Sequence, residues 1–264
     1  ISQKYRATPQ DTSVRIAAVQ SEGALIEEYM SLTRSVTTAD QKTADVIIWP
    51  EYALPYDIKS NVLRNRQLSD FAKEIDAVMV VGTQTSAAPV EGWKNTAITL
   101  DASGFIGEHY KNHTVHFFDD GIAGTEAKAV QTSQGKIGTP ICFDCDYQDV
   151  IRRMTADGAE FFAIPSMDAV HWGEQEHHQH AELFRHRAAE NGRWIAVAAT
   201  SGVTQVIDPN GNRVKSIPII EEGVLTAEMG KSDRLTIYTR AGWVFPWAIT
   251  VVGALWMILI FIQS

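Results

Sequence analysis

Along residues 15–240, short apolar runs alternate with longer polar stretches of helical periodicity. Runs rich in Val, Ile, Thr and aromatic residues, bounded by turn residues, predict ten strands. They are Arg15–Gln20, Val46–Trp49, Ala77–Gln84, Ala97–Asp101, Phe105–Tyr110, Lys136–Cys142, Glu160–Ile164, Trp194–Thr200, Thr204–Asp208 and Val224–Ala227. Asp101-Ala-Ser-Gly104 and Asp208-Pro-Asn-Gly211 carry turn chemistry between paired strands. Tyr147, Val150, Ile151 and Met154 fall at i, i+3, i+4 and i+7, which predicts an amphipathic helix just after Cys142. A second helix is predicted from about Gln175 to Asn191, stopped by Gly192. Strands mixed with helices and hairpins predict a layered α/β domain rather than a purely parallel sheet. No repeat or Pro/Gly/Ser linker divides it, so residues 1–240 read as one domain and 241–264 as a tail.

The pattern breaks once. From Trp243 to Ile262 the chain carries no charge and almost no polar group. About 20 residues rising roughly 1.5 Å each cross a bilayer core, so this segment predicts a membrane span. Pro246 falls in the first turn, where a missing N–H costs least, and Trp243 and Trp247 sit where an aromatic belt lies. Lys231, Arg234 and Arg240 precede the span and nothing basic follows, a bias that by itself puts the domain on the cytoplasmic side. Residues 1–14 show no initiating Met and no apolar signal region, so the chain reads either as part of a longer protein or as one anchored by its tail.

Composition narrows the function. The 264 residues hold 23 Lys+Arg against 32 Asp+Glu, a net charge of −9, with no basic cluster, which argues against a nucleic-acid partner. Two cysteines make no disulfide scaffold.

Four segments carry candidate chemistry. Val46-Ile-Ile-Trp-Pro-Glu51 ends a buried strand on a proline followed by a carboxylate, which desolvation would turn into a general base. Lys111 ends another strand, where it could present a fixed charge to an oxyanion. Gly138-Thr-Pro-Ile-Cys142-Phe-Asp-Cys145 runs from strand to helix; helix N-terminal amides aimed at Cys142 would favour its thiolate, and the Phe143 N–H would donate to an oxyanion. The same segment fits a C-x-x-C redox pair, but Asp144 beside the thiol opposes a thiolate. His171 to His180 holds four histidines, yet lacks H-E-x-x-H and ligand spacing, and reads as a polar loop opening a helix.

Glu51, Lys111 and Cys142, in this order and at strand ends, resemble the nitrilase (carbon–nitrogen hydrolase) superfamily, with Gly82, Asn95 and Arg187–Arg193 inside the same stretch. The resemblance implies a four-layer αββα sandwich followed here by one transmembrane helix. It implies Glu51 as general base, Lys111 as oxyanion stabiliser, Cys142 as nucleophile, and no metal or organic cofactor. Within the superfamily, Trp172-Gly173, Gln179-His180, Thr200–Asp208 and Thr236–Gly242 leading into an apolar helix are similar to the extramembrane domain of the apolipoprotein N-acyltransferase branch. That branch implies transfer of a phospholipid acyl chain through a Cys142 thioester to the N-terminal amine of a lipoprotein, at the bacterial inner membrane with the domain periplasmic. Its Pro-Phe-Gly-Glu stretch is His116-Phe-Phe-Asp119 here, so Asp119 supplies the carboxylate with a shorter reach, and Asp144 stands where the branch has Glu. A membrane-anchored amidase using the same three residues, and an inactive membrane-tethered scaffold, are the competing expectations.

Overall fold

The protein, described by a computed structural model, is defined over residues 13–36, 44–242 and 244–263. The expectations on residues 1–12 and on Trp243 lie outside the described residues.

The first half builds one sheet. β1 (Ser13–Gln20), β2 (Val46–Asp57) and β3 (Val78–Ser86) run parallel, with α1 (Ile26–Ser35) and α2 (Val62–Ile75) as crossovers. β4 (Trp93–Asp101) and β5 (Gly104–Tyr110) extend it as antiparallel hairpins. The second sheet contains β6 (Val130–Thr132), β7 (Gly135–Gly138), β8 (Phe161–Ser166), β9 (Ile195–Ala199), β10 (Thr204–Ile207) and β11 (Arg213–Ile217). α3 (Asp149–Ala156) and α4 (Glu174–Asn191) connect its parallel strands β7, β8 and β9. β12 (Gly223–Gly230) then returns to pair antiparallel with β1, giving orders β12-β1-β2-β3-β4-β5 and β11-β10-β9-β8-β7-β6.

Strand alternation decides the layers. Ile16, Val46, Ile48 and Val80 face the second sheet and pack with Phe161, Ala163, Ala196 and Ala198. The intervening Ala17, Ile47, Trp49 and Met79 face outward onto Tyr29 of α1 and Phe71 of α2. Phe162, Ile164, Ile195 and Val197 turn the other way, onto Val150 and Met154 of α3 and Phe184 and Ala188 of α4. Both faces of the central strands are therefore buried, which is why they read as unbroken apolar runs. The result is the expected αββα sandwich of two mixed sheets flanked by helices.

Both turn segments join antiparallel pairs, β4/β5 and β10/β11. Gly192 closes α4 at φ +62°, a left-handed position that suits a residue without Cβ. α5 (Ile237–Ala241) is capped by Thr236, whose Oγ1 accepts from the Thr239 N–H at 2.9 Å and donates to the Glu190 carbonyl at 2.6 Å. α6 (Val244–Gln263) follows; its apolar span Val244–Ile262 is long enough to cross a membrane, and no residue of that span is buried.

One expectation fails near the chemistry. The strand predicted to reach Cys142 ends at Gly138, and the helix predicted just after Cys142 begins only at Asp149. Between them, residues 139–141 run without strand pairing into a single 3-10 turn, Cys142–Cys145.

Candidate active site

Glu51 is placed by an interruption in β2. Pairing with β3 is regular up to Trp49–Val81, shifts, and resumes at Leu54–Thr83, with Tyr52 left-handed at φ 55°. Gly82 underneath permits this: a Cβ there would lie 2.3 Å from the Pro50 carbonyl oxygen and 2.5 Å from the Glu51 Cα. The carboxylate is fully buried. Its Oε1 accepts from Asn95 Nδ2 at 2.6 Å and Lys111 Nζ at 2.8 Å, while Oε2 has no hydrogen-bond partner among the described residues.

Lys111 follows β5 and is held from both sides. Its N–H donates to the Asn95 carbonyl at 2.9 Å, and its carbonyl accepts from the Gly124 N–H at 2.8 Å. The buried ammonium also meets Asp120 Oδ2 at 2.8 Å. Asp120 accepts further from Asn95 Nδ2, the Val115 N–H and the Tyr52 hydroxyl. The structure thus brings Asp120, and not the expected Asp119, onto the lysine. Asp119 is exposed at the rim, accepting from the Gly121 N–H at 3.2 Å and Trp93 Nε1 at 3.3 Å. Successive side chains point in different directions here, and the inner position falls to the second aspartate.

Cys142 opens the 3-10 turn at φ 44°, uncommon for a residue with a Cβ. The sharp corner, rather than a helix N-terminus, lifts the side chain from the sheet end. Its Sγ contacts the Met167 carbonyl at 3.5 Å. Within the turn the Asp144 N–H donates to the Ile141 carbonyl at 2.9 Å. The Phe143 ring stands edge-on to Tyr147. Asp144, buried, takes no place beside the sulfur. It accepts from the amides of Asn112, His113 and Ile141 and from His109 Nε2, all within 3.0 Å, and so ties the Lys111 segment to the Cys142 turn. Burial pushes its pKa up, but these hydrogen bonds more than offset that and hold it below the usual carboxylate value. Cys145 packs with Val150 and Phe162 in the outer layer, whereas Cys142 packs between the sheets, and both thiols are free.

The electrostatics follow from dryness. Burial, reinforced by the charge of Glu51 and opposed by Lys111, raises the Cys142 thiol well above its ordinary value, so it rests protonated. Burial also raises Glu51; Lys111 pulls it down and Asp120 pushes it up, leaving it above the usual range. Burial alone would lower Lys111, but the attraction of Glu51 and Asp120 outweighs it, so the ammonium persists.

A second cluster meets Cys142 from the other sheet. Asp168, just past β8, and His180 of α4 each bring a ligand-type atom near the sulfur, the three lying within 4.8 Å of one another. His180 Nδ1 is 2.6 Å from Asp168 Oδ1, and Nε2 is 3.3 Å from Asp146 Oδ1. Burial lowers the imidazole, but Asp168 and Asp146 more than compensate and hold it well above its ordinary value. A protonated ring has no lone pair with which to take a thiol proton. Glu51 Oε2, without a hydrogen-bond partner among the described residues, is a carboxylate oxygen free to accept that proton. Asp120 and Asp168 carry no motif in the sequence; Asn95 enters it only through the resemblance, and His180 through the resemblance and the four-histidine segment. The one local signal was the His-rich opening of α4.

A family profile described as carbon-nitrogen hydrolase matches residues 15–234. Curated relatives named apolipoprotein N-acyltransferase include one from Geobacter metallireducens, 27% identical over 248 residues, covering 86% of this chain and 47% of the relative. Another, from Aquifex aeolicus, is 26% identical over 220 residues, covering 75% and 48%. The chain spans about half the length of these relatives. Among solved structures, an amidase from Nesterenkonia sp. superposes with a TM-score of 0.71 at 18% identity, covering 93% of this chain and 100% of that one. A carbon-nitrogen hydrolase from Helicobacter pylori gives 0.71 at 18% identity, covering 82% and 88%. With the profile spanning the whole sandwich, from β1 past β12, the chain belongs to the carbon–nitrogen hydrolase family.

Proposed function

We propose that this chain is the catalytic part of a membrane-anchored N-acyltransferase that moves a phospholipid acyl chain through a Cys142 thioester to the N-terminal amine of a lipoprotein. Residues 1–240 form the catalytic domain and 241–264 its anchor. The observation that carries the reading is the union, in one chain, of a dry Glu51–Lys111–Cys142 centre with the unburied apolar helix α6. The names of the curated relatives support the same reaction.

Glu51 Oε2 takes the thiol proton as Sγ attacks the ester carbonyl. Lys111 Nζ and the Phe143 N–H hold the resulting oxyanion. Collapse breaks the ester C–O bond, and Glu51 returns the proton to the departing lysophospholipid hydroxyl. The lipoprotein amine then attacks the thioester, Glu51 accepts its proton, and the thiol is regenerated as the amide forms. α6 keeps the site at the bilayer, which raises the effective concentration of lipid. The domain faces the periplasm from the bacterial inner membrane, where donor and acceptor meet; three basic residues before the span are a small opposing bias.

Full chain in detergent, given phospholipid and a diacylated lipopeptide, is expected to N-acylate the peptide and to show the acyl mass on Cys142; Cys142→Ser abolishes both. Release of small amides without acyl exchange would establish the amidase reading instead, and acyl transfer that survives Cys142→Ser would refute the thioester.

A further inference from the structure

We propose that Cys142, Asp168 and His180 form a zinc-binding site, and that a zinc ion held there blocks the thiol reversibly. The binding stands on the cluster itself; the blockade rests on Cys142 being the nucleophile.

The three donor atoms lie within 4.8 Å of one another and are buried. Tetrahedral zinc, with bonds of about 2.0–2.3 Å, separates neighbouring ligand atoms by about 3.3–3.7 Å. The 2.6 Å contact between His180 Nδ1 and Asp168 Oδ1 therefore opens by about 0.7–1.1 Å, while Sγ lies within 4.8 Å of the other two donors. Thiolate, imidazole and carboxylate form a donor set suited to zinc, with the fourth position left for water.

The surroundings supply what a metal-bound imidazole needs. A histidine that binds through Nδ1 carries its proton on Nε2 and requires an acceptor for it. Asp146 Oδ1 stands 3.3 Å from Nε2, and neither atom has a well-aligned hydrogen-bond partner among the described residues. Asp168 is steadied by Thr200, whose Oγ1 accepts from the Asp168 N–H at 3.1 Å.

Zinc binding forms Zn–S and Zn–N bonds, and the Sγ–H and Nδ1–H protons that those bonds displace pass to solvent. Glu176 on α4, whose own carboxyl senses Asp168, His180 and Asp146, and the Glu51–Lys111 pair from the first sheet complete the charged surroundings.

The test uses the full chain in detergent with cobalt(II) as probe and zinc as competitor. The expected result is a thiolate-to-cobalt charge-transfer band that zinc abolishes, that Cys142→Ser removes and that Cys145→Ser retains. Asp146→Asn and His180→Gln should each weaken metal binding by about 10–100-fold. Asp146→Asn leaves all three ligands in place, so it tests the site even where the histidine variant folds poorly. No Cys142-dependent band, or wild-type affinity in Asp146→Asn and His180→Gln alike, overturns the site. A band in a protein whose acyl transfer zinc leaves untouched overturns the blockade while keeping the site. Absence of the band while Cys142→Ser still abolishes transfer defeats the metal inference alone.

Discussion

Two polar clusters meet Cys142 from opposite sheets, and each joins one cation to two carboxylates. From the first sheet come Lys111, Glu51 and Asp120; from the second, His180, Asp168 and Asp146. What separates them is the chemical nature of the cation. In the first cluster the cation is a lysine, which cannot take another proton, and one oxygen of Glu51 is buried with no hydrogen-bond partner among the described residues. In the second, the cation is the histidine that would have to act as base, and its carboxylates keep it charged. Similar inventories of charge thus leave Glu51 able to accept a proton and deny that capacity to His180. The presence of a Cys, a His and an Asp in one place does not make a cysteine–histidine catalytic pair.

The sharpest way to break this comparison is to remove each candidate base. Glu51→Gln should lower acyl-transfer kcat/KM by about 10²–10⁴-fold. Since the ionised carboxylate is the active form, the wild-type rate should rise with pH through the raised Glu51 pKa, placing the acid limb above 4.5, and the variant should lose that limb. His180→Gln, measured as a folded protein, should cost less than about tenfold and keep the limb. Equal losses, or a limb that disappears with His180, erase the distinction. Next in size, Lys111→Met should reduce thioester formation by about 10²–10³-fold with little change in lipid binding, read by mass spectrometry and vesicle sedimentation. Losses of equal size in both measurements remove the oxyanion role. The smallest effects separate the adjacent aspartates. Asp120→Asn should cost about 2–3 kcal/mol in urea unfolding, because Lys111 and the Val115 amide lose a charged partner in a dry site. Asp119→Asn should stay within about 0.5 kcal/mol.

The layered fold was legible because its central strands are buried on both faces and announce themselves as apolar runs. β6 and β11 escaped notice for the opposite reason: they are short edge strands, and β11 is largely exposed. Glu51 and Lys111 could be picked out as polar residues closing apolar strands. Asp120 could not be told from Asp119, because spacing does not say which of two neighbours turns inward. His180 was set aside on spacing, since its partners lie 38, 34 and 12 positions away and only the packing of α4 against the second sheet unites them. The helix expected after Cys142 is α3, which buries Val150, Ile151 and Met154 as their spacing predicts; the 3-10 turn at Cys142 before it left no mark in the periodicity.

The left-handed corner at residue 142 has an evolutionary corollary. A backbone in that region favours glycine, and a side chain bearing Cβ is tolerated there at a cost of about 1–3 kcal/mol. Selection for sulfur opposes relaxation to glycine or asparagine at this site. Lineages released from that selection should drift toward those residues first, so a glycine or asparagine at this corner in a descendant sequence would mark a silenced copy.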